Sequence, residues 1–90
     1  MLFMSIYTYE PEKRHENIHR RLEKGAIVPQ GVKIHGEWSD LTGGRAFRLI
    51  EVDDPEAGLA ASAAWNDIGK IELVPVMETE EVMEIVKSMI

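Results

Sequence analysis

The chain has 90 residues, no cysteine and a formal net charge of −6 at pH 7. Without cysteine it cannot form a disulfide or a thiolate metal site, and its acidic charge would repel the phosphates of a nucleic acid. It also lacks a signal peptide and any apolar stretch long enough to span a membrane, so we expect a cytoplasmic protein in which residues 1–90 form one domain.

The first half of the chain predicts a strand, a helix and a second strand. Aromatic and branched residues enrich segment 2–9, which predicts a strand. Pro11 suits the start of a helix and Gly25 suits its end, so we expect a helix over 11–24. The apolar stripe of this helix comprises Pro11, Ile18, Leu22 and Gly25. Segment 32–39 alternates, and one of its faces carries Val32, Ile34, Gly36 and Trp38.

The second half begins with a hairpin and a helix. Residues 41–44 form the hairpin loop, and the returning strand runs over 45–53. Asp54 is a typical N-cap and Pro55 suits the first helical position, so a helix follows that Gly69 ends. The sheet-facing side of this helix would carry Ala57, Ala61, Ala64, Trp65 and Ile68.

A last strand and a last helix complete the chain. Segment 70–77 reads as a strand, and Pro75 within it indicates an edge of the sheet. Thr79 is the expected cap of a helix over 80–89. The order β-α-β-β-α-β plus a C-terminal helix predicts a ferredoxin-like α+β fold with a four-stranded antiparallel sheet and both main helices on one face. Because the other face is apolar and open, we expect a homodimer formed through it.

Several local sequences make the chain similar to a known family. These are Gly36-Glu37-Trp38, the Gly43-Gly44-Arg45 turn with Phe47, Glu51-Val52-Asp53-Asp54-Pro55, Trp65 and Pro75-Val76. They resemble a small family described only as a domain of unknown function, within the dimeric α+β barrel superfamily. The resemblance implies two sheets that face each other and enclose a barrel. The superfamily includes cofactor-free monooxygenases, muconolactone-type isomerases, haem-degrading proteins and amino-acid-sensing domains, but the small family implies no catalytic residue.

The candidate ligand-binding residues are His35, Glu37, Arg48, Tyr7 and Trp65. With an even hairpin loop, His35 and Glu37 share a face with Arg48, and we expect that face to line the barrel while the Trp38 face receives the helices. These groups could position an acid or a base beside an anion or a carbonyl. The alternative is that Glu37 and Arg48 form a structural ion pair. The aromatic side chains could line a flat pocket or belong to the core.

The segment His15-Glu16-Asn17-Ile18-His19 matches the H-E-x-x-H motif of zinc hydrolases. We interpret it as a surface helix, because the only other histidine, His35, lies on a distant strand. No metal or cofactor is therefore predicted. The first functional hypothesis is a homodimer that binds a small, partly apolar ligand in a sheet-lined cavity. The second is a cofactor-free isomerase or monooxygenase that uses a barrel-lining His, Glu or Tyr, and haem binding is the third.

Overall fold

A computed structural model describes residues 1–90 and contains four strands and three helices. The elements in chain order are β1 (Leu2–Thr8), a 3-10 turn (Pro11–Lys13), α1 (Arg14–Lys24), β2 (Val32–Ser39), β3 (Arg45–Val52), α2 (Pro55–Ala63), β4 (Lys70–Pro75) and α3 (Thr79–Met89). The α+β class and the four-stranded antiparallel sheet are confirmed. None of the helices is both long enough and apolar enough to cross a bilayer.

Several ends of the helices follow the chemistry of their flanking residues, but two predicted ends were wrong. The first is the end of α2, which lies at Ala63 and not at the predicted Gly69. Asp54 caps α2, since its side chain accepts a hydrogen bond from the Ala57 amide at 2.9 Å. Gly25 ends α1 with a φ of 69°, a conformation that glycine adopts without strain. The predicted cap of α3 was wrong, because Thr79 is already helical and Glu78 precedes it without a side-chain cap.

The strands are arranged in the order β2-β3-β1-β4. Pro75 thus lies on an edge strand, as predicted. One face of the sheet, which we call the helix face, is covered by the helices: Ile50 and Val52 on this face are buried and pack against Ala57 of α2. The opposite face, which we call the open face, carries no helix contact to its apolar residues Leu2, Met4, Ile6, Trp38, Phe47, Leu49 and Val74.

A β-bulge at His35 divides β2 into two halves. Ile34 pairs with Ile50 and Gly36 pairs with Leu49, so one extra residue lies between them. Strict alternation predicted that Ile34 lies on the same face as Trp38, but because of the bulge Ile34 lies on the helix face. The bulge also separates His35, which turns to the open face beside Glu51, from Glu37, which pairs with Arg48 on the helix face.

The predicted use of the two faces was therefore wrong. The face of Glu37 and Arg48 receives the helices, and the face of Trp38 is open. The reason is that the side chains of Ile50 and Val52 point to the same face as Arg48. They form the apolar end of β3, on which α2 packs. Alternation along a strand assigns residues to faces, but it does not say which face a helix will cover.

The chain buries little of itself. Only 7 of its 90 residues are buried, and the core cluster contains Ile50, Val52 and Ala57. The radius of gyration is 15.0 Å, whereas a compact domain of this length has about 12 Å. The helix α3 buries none of its residues, and the longest dimension of the molecule is 50 Å. The predicted apolar stripe of α1 is not buried either, since Ile18 is 43% and Leu22 is 79% exposed.

Polar contacts attach α1 to the rest of the fold instead. Arg20 forms a two-pronged ion pair with Asp67, with both N···O distances 2.7 Å, and it also donates to the Ala64 carbonyl at 2.8 Å. The hydrogen bond from Arg20 lowers the pKa of Asp67 to about 2. This pair joins α1 to the connection between α2 and β4.

We expect Asp67→Asn to lower the melting temperature at neutral pH and to have a clearly smaller effect at about pH 2.5. The folded pKa of Asp67 lies below its unfolded value of about 4, so its contribution to stability is nearly complete above about pH 5 and is lost as the pH falls through 2. Thermal melts of both proteins across this range check the prediction. Asp53→Asn is the matched control, since the exposed Asp53 carboxylate makes no ion pair. A difference in melting temperature that persists unchanged at low pH would contradict the assignment.

Candidate functional site

A cavity of about 370 Å³ lies between the helix face of the sheet and the helices α1 and α2. Small side chains create it, since Ser5 and Ala46 form part of its floor and Ala61 lies on its α2 wall. The side chains of Ile18 and Leu22 border it without filling it. Most of the lining residues are hydrophobic, as is typical of small-molecule sites.

Four of the five predicted site residues lie on this cavity. They are Tyr7, Glu37, Arg48 and Trp65. The fifth, His35, lies on the open face, where its Nε2 is 3.6 Å from Glu51 Oε1. The bulge in β2 is the reason for the separation, since its extra residue shifts the alternation and places His35 and Glu37, two residues apart, on opposite faces.

An ion-pair cluster lies on one side of the cavity. Glu37 accepts two hydrogen bonds from Arg21, at 2.8 and 2.6 Å, and one from Arg48 Nε at 2.5 Å. These bonds, first that of Arg21 and then that of Arg48, lower the pKa of Glu37, although partial burial opposes them. The cross-strand pair between Glu37 and Arg48 was anticipated as an alternative. The contribution of Arg21 was not, because it depends on how α1 lies over β2.

A hydrogen-bond network centred on Asn17 lies on another side. The Tyr7 hydroxyl donates to Asn17 Oδ1 at 2.5 Å, and Asn17 Nδ2 donates to the carbonyls of Lys13 at 2.9 Å and Ile68 at 3.2 Å. Asn17 is only 6% exposed. Burial raises the pKa of Tyr7, and the hydrogen bond to Asn17 partly offsets that effect. Asn17 was not among the predicted site residues, although an asparagine inside a helix can bond to the carbonyl four residues before it, as Asn17 does to Lys13.

Trp65 forms the cavity wall between the ion-pair cluster and the hydrogen-bond network of Asn17. Its ring meets Tyr7 edge-on at a centroid distance of 6.0 Å, and the guanidinium carbons of Arg20 and Arg48 lie 5.7 and 5.9 Å from its centroid. The sequence left open whether Trp65 lines a pocket or belongs to the core, and it lines the cavity while only 7% exposed. Its indole Nε1 is buried and has no hydrogen-bond acceptor in the protein. Buried donors of this kind are rare because each costs free energy.

The backbone beside the cavity is strained at one residue. Ile27 has a φ of 52°, a left-handed conformation that a β-branched side chain rarely adopts. Ile27 lines the cavity, and the carbonyl of the preceding Ala26 lies 3.3 Å from Arg48 Nη1. Strain of this kind costs about 1–3 kcal/mol and is concentrated at functional sites.

The H-E-x-x-H segment lies outside this site. His15 and His19 are exposed on α1, and His19 Nε2 is 3.2 Å from Glu23 on the same helix. No group of three histidine or carboxylate side chains is placed to hold a metal ion.

Comparison with known proteins identifies a family and nothing more specific. The profile of a family described as a domain of unknown function, DUF3303, matches residues 1–90. No curated protein and no solved structure matches the chain.

Proposed function

The chain belongs to the DUF3303 family, and we propose that it binds a small, partly apolar molecule in the cavity between sheet and helices, as a homodimer. The family description assigns no activity, so the proposal depends on the site alone. The observation that carries it is that the rings of Tyr7 and Trp65 and the guanidinium of Arg48 meet along the lining of this cavity. Such a lining offers a small molecule both an apolar surface and a charged group.

The size and composition of the cavity support the same function. A volume of about 370 Å³ lies within the range of small-molecule sites, which combine apolar walls with a few polar groups. Here the aromatic rings of Tyr7 and Trp65 supply apolar surface, and Arg48 supplies a charged group. A flat, partly apolar molecule of one or two rings suits these walls.

The protonation of the site favours binding over proton transfer. A general acid or base works best when its pKa lies near the working pH. The pKa of Glu37 is lowered by Arg21 and Arg48, and the pKa of Tyr7 is raised by burial, so both are moved away from neutrality. His35, the third residue of the enzymatic hypothesis, lies on the opposite face. The isomerase or monooxygenase hypothesis thus receives no support from these groups.

The proposed dimer is a ferredoxin-like fold that pairs through its open face into a dimeric α+β barrel. The strand order β2-β3-β1-β4, with α1 and α2 on one face, is consistent with this topology. The open face presents a continuous apolar surface across the two central strands, which include Met4, Ile6, Phe47 and Leu49. A surface of this kind on a chain that buries few of its own residues is typical of an interface.

Filling the cavity should abolish binding. Ala61 lies on the cavity wall, so Ala61→Phe would occupy the space, whereas the neighbouring Ala60 is exposed and does not line it. We expect 2-naphthol to shift the Trp65 indole resonance of isotope-labelled protein in the wild type and in Ala60→Phe, but not in Ala61→Phe. Trp38, on the open face, serves as an internal control. If 2-naphthol and its relatives leave the Trp65 resonance unmoved in the wild type, the proposed site is wrong.

A further inference from the structure

We propose that the ligand of the cavity is an organic carboxylate, whose anionic end binds to Arg48 while its apolar body contacts the aromatic wall. This inference depends on the proposed function and adds the chemical class of the ligand. It is carried by the charge of the cavity and by a hydrogen-bond donor of Arg48 that the protein leaves unused.

The charge of the cavity is opposite in sign to that of the chain. Three arginines and two carboxylates line the cavity, which gives it a net charge of +1, whereas the whole chain carries −6. The charged lining residues are Arg21, Arg45, Arg48, Glu37 and Asp40. Arg45 and Asp40 already form their own ion pair, with a distance of 3.0 Å between Nε and Oδ2. The excess positive charge therefore belongs to the cluster of Arg21, Glu37 and Arg48.

One donor of this cluster has no partner in the protein. Arg48 uses Nε on Glu37 and Nη1 on the Ala26 carbonyl, which leaves Nη2 without an acceptor. The Arg48 guanidinium carbon is 5.9 Å from the centre of the Trp65 ring, so the apolar body of an acid bound at Arg48 would have the aromatic wall beside it.

Glu37 shows that the arginines already bind a carboxylate with good geometry, since it accepts from both of them. One carboxylate leaves the cluster with a charge of +1, and a second would make it neutral. An anion would therefore be compensated in the cavity, while a cation would face two guanidinium groups. Hydrogen bonds to charged groups are stronger than those between neutral groups, so an acid gains more here than a neutral compound of the same shape.

The test compares 2-naphthoate with its neutral amide, 2-naphthamide, which has nearly the same shape. We expect the acid to bind wild-type protein at least about tenfold more tightly and to shift the indole resonance of Trp65, which lines the cavity. The resonance of Trp38 should not move, because Trp38 is 54% exposed on the open face. If acid and amide bind equally, the inference is wrong and the proposed function stands. If neither of these compounds nor 2-naphthol shifts the Trp65 resonance, the proposed function and the inference about its ligand are both wrong.

Two arginine variants separate a local contact from the overall charge of the protein. Arg48→Gln and Arg14→Gln each remove one positive charge, but Arg14 is exposed and does not line the cavity, whereas Arg48 lines it with an unused donor. We expect Arg48→Gln to reduce the preference for the acid to less than about threefold and Arg14→Gln to retain it. An equal loss in both variants would contradict the proposed contact. The wild-type comparison keeps its meaning even if Arg48→Gln fails to fold.

Discussion

Replacing Asn17 with leucine is expected to lower the free energy of unfolding by about 2–4 kcal/mol, a large part of the stability of a domain of this size. The amide of Asn17 accepts from Tyr7 and donates to the carbonyl of Ile68, and leucine can do neither. The Tyr7 hydroxyl would lose its shorter hydrogen bond and keep only the Trp65 carbonyl, at 3.3 Å, as an acceptor. Urea denaturation followed by circular dichroism measures the loss.

Two further variants identify the cause of this loss. Asn66→Leu is the matched control, because Asn66 is exposed and its side chain makes no hydrogen bond. Tyr7→Phe removes the donor, so the double variant of Tyr7 and Asn17 should be more stable than the sum of the single changes implies. If Asn17→Leu destabilises the protein no more than Asn66→Leu, the network does not hold α1 in place.

Placing a charge on the open face is expected to dissociate the proposed dimer. Leu49 lies on the central strand β3, opposite Met4 of β1, and Leu49→Glu would bring an unpaired carboxylate into the interface. Burying an unpaired charge costs about 3–5 kcal/mol, so the dissociation constant should rise by at least about a hundredfold. Equilibrium sedimentation at micromolar concentration would then show a species near the chain mass of 10.2 kDa.

The control for this experiment is the same substitution outside the interface. Leu59 on α2 is 69% exposed and belongs neither to the sheet nor to the cavity, so Leu59→Glu should leave the dimer intact. Circular dichroism should show that Leu49→Glu remains folded, because its side chain meets water in the monomer. A wild-type protein that sediments as a monomer at the same concentration would contradict the dimer itself.

Local sequence signals were sufficient for most of the fold. Asp54 with Pro55 predicted the start of α2, Gly25 the end of α1, and Pro75 the edge position of β4, because each acts through its own backbone or nearest neighbours. The α+β class and the antiparallel sheet followed from the order of these elements. The family resemblance was also confirmed at the level of the family.

The candidate site was only partly predictable. Alternation in β2 does not reveal the bulge at His35, because the extra residue is defined by pairing with β3 and not by β2 alone. Arg21 and Asn17 come from α1, and their roles depend on where that helix lies over the sheet. The apolar stripe of Ile18 and Leu22 indicated the wrong side of α1 as buried. The bulge, the roles of Arg21 and Asn17 and the buried side of α1 all depend on contacts between distant elements. The local sequence pattern does not contain information about such contacts.

The attachment of α1 by polar contacts also affects how the cavity exchanges with solvent. Ion pairs and hydrogen bonds from Asn17, Arg20 and Arg21 hold the helix, while Ile18 and Leu22 remain largely in water. Opening the helix would therefore expose little new apolar surface, and its heat-capacity change would be small. Salt screens the two ion pairs, so the fraction of molecules in which α1 is open should rise with ionic strength. Access to the cavity beneath α1 should therefore depend on the salt concentration around the protein.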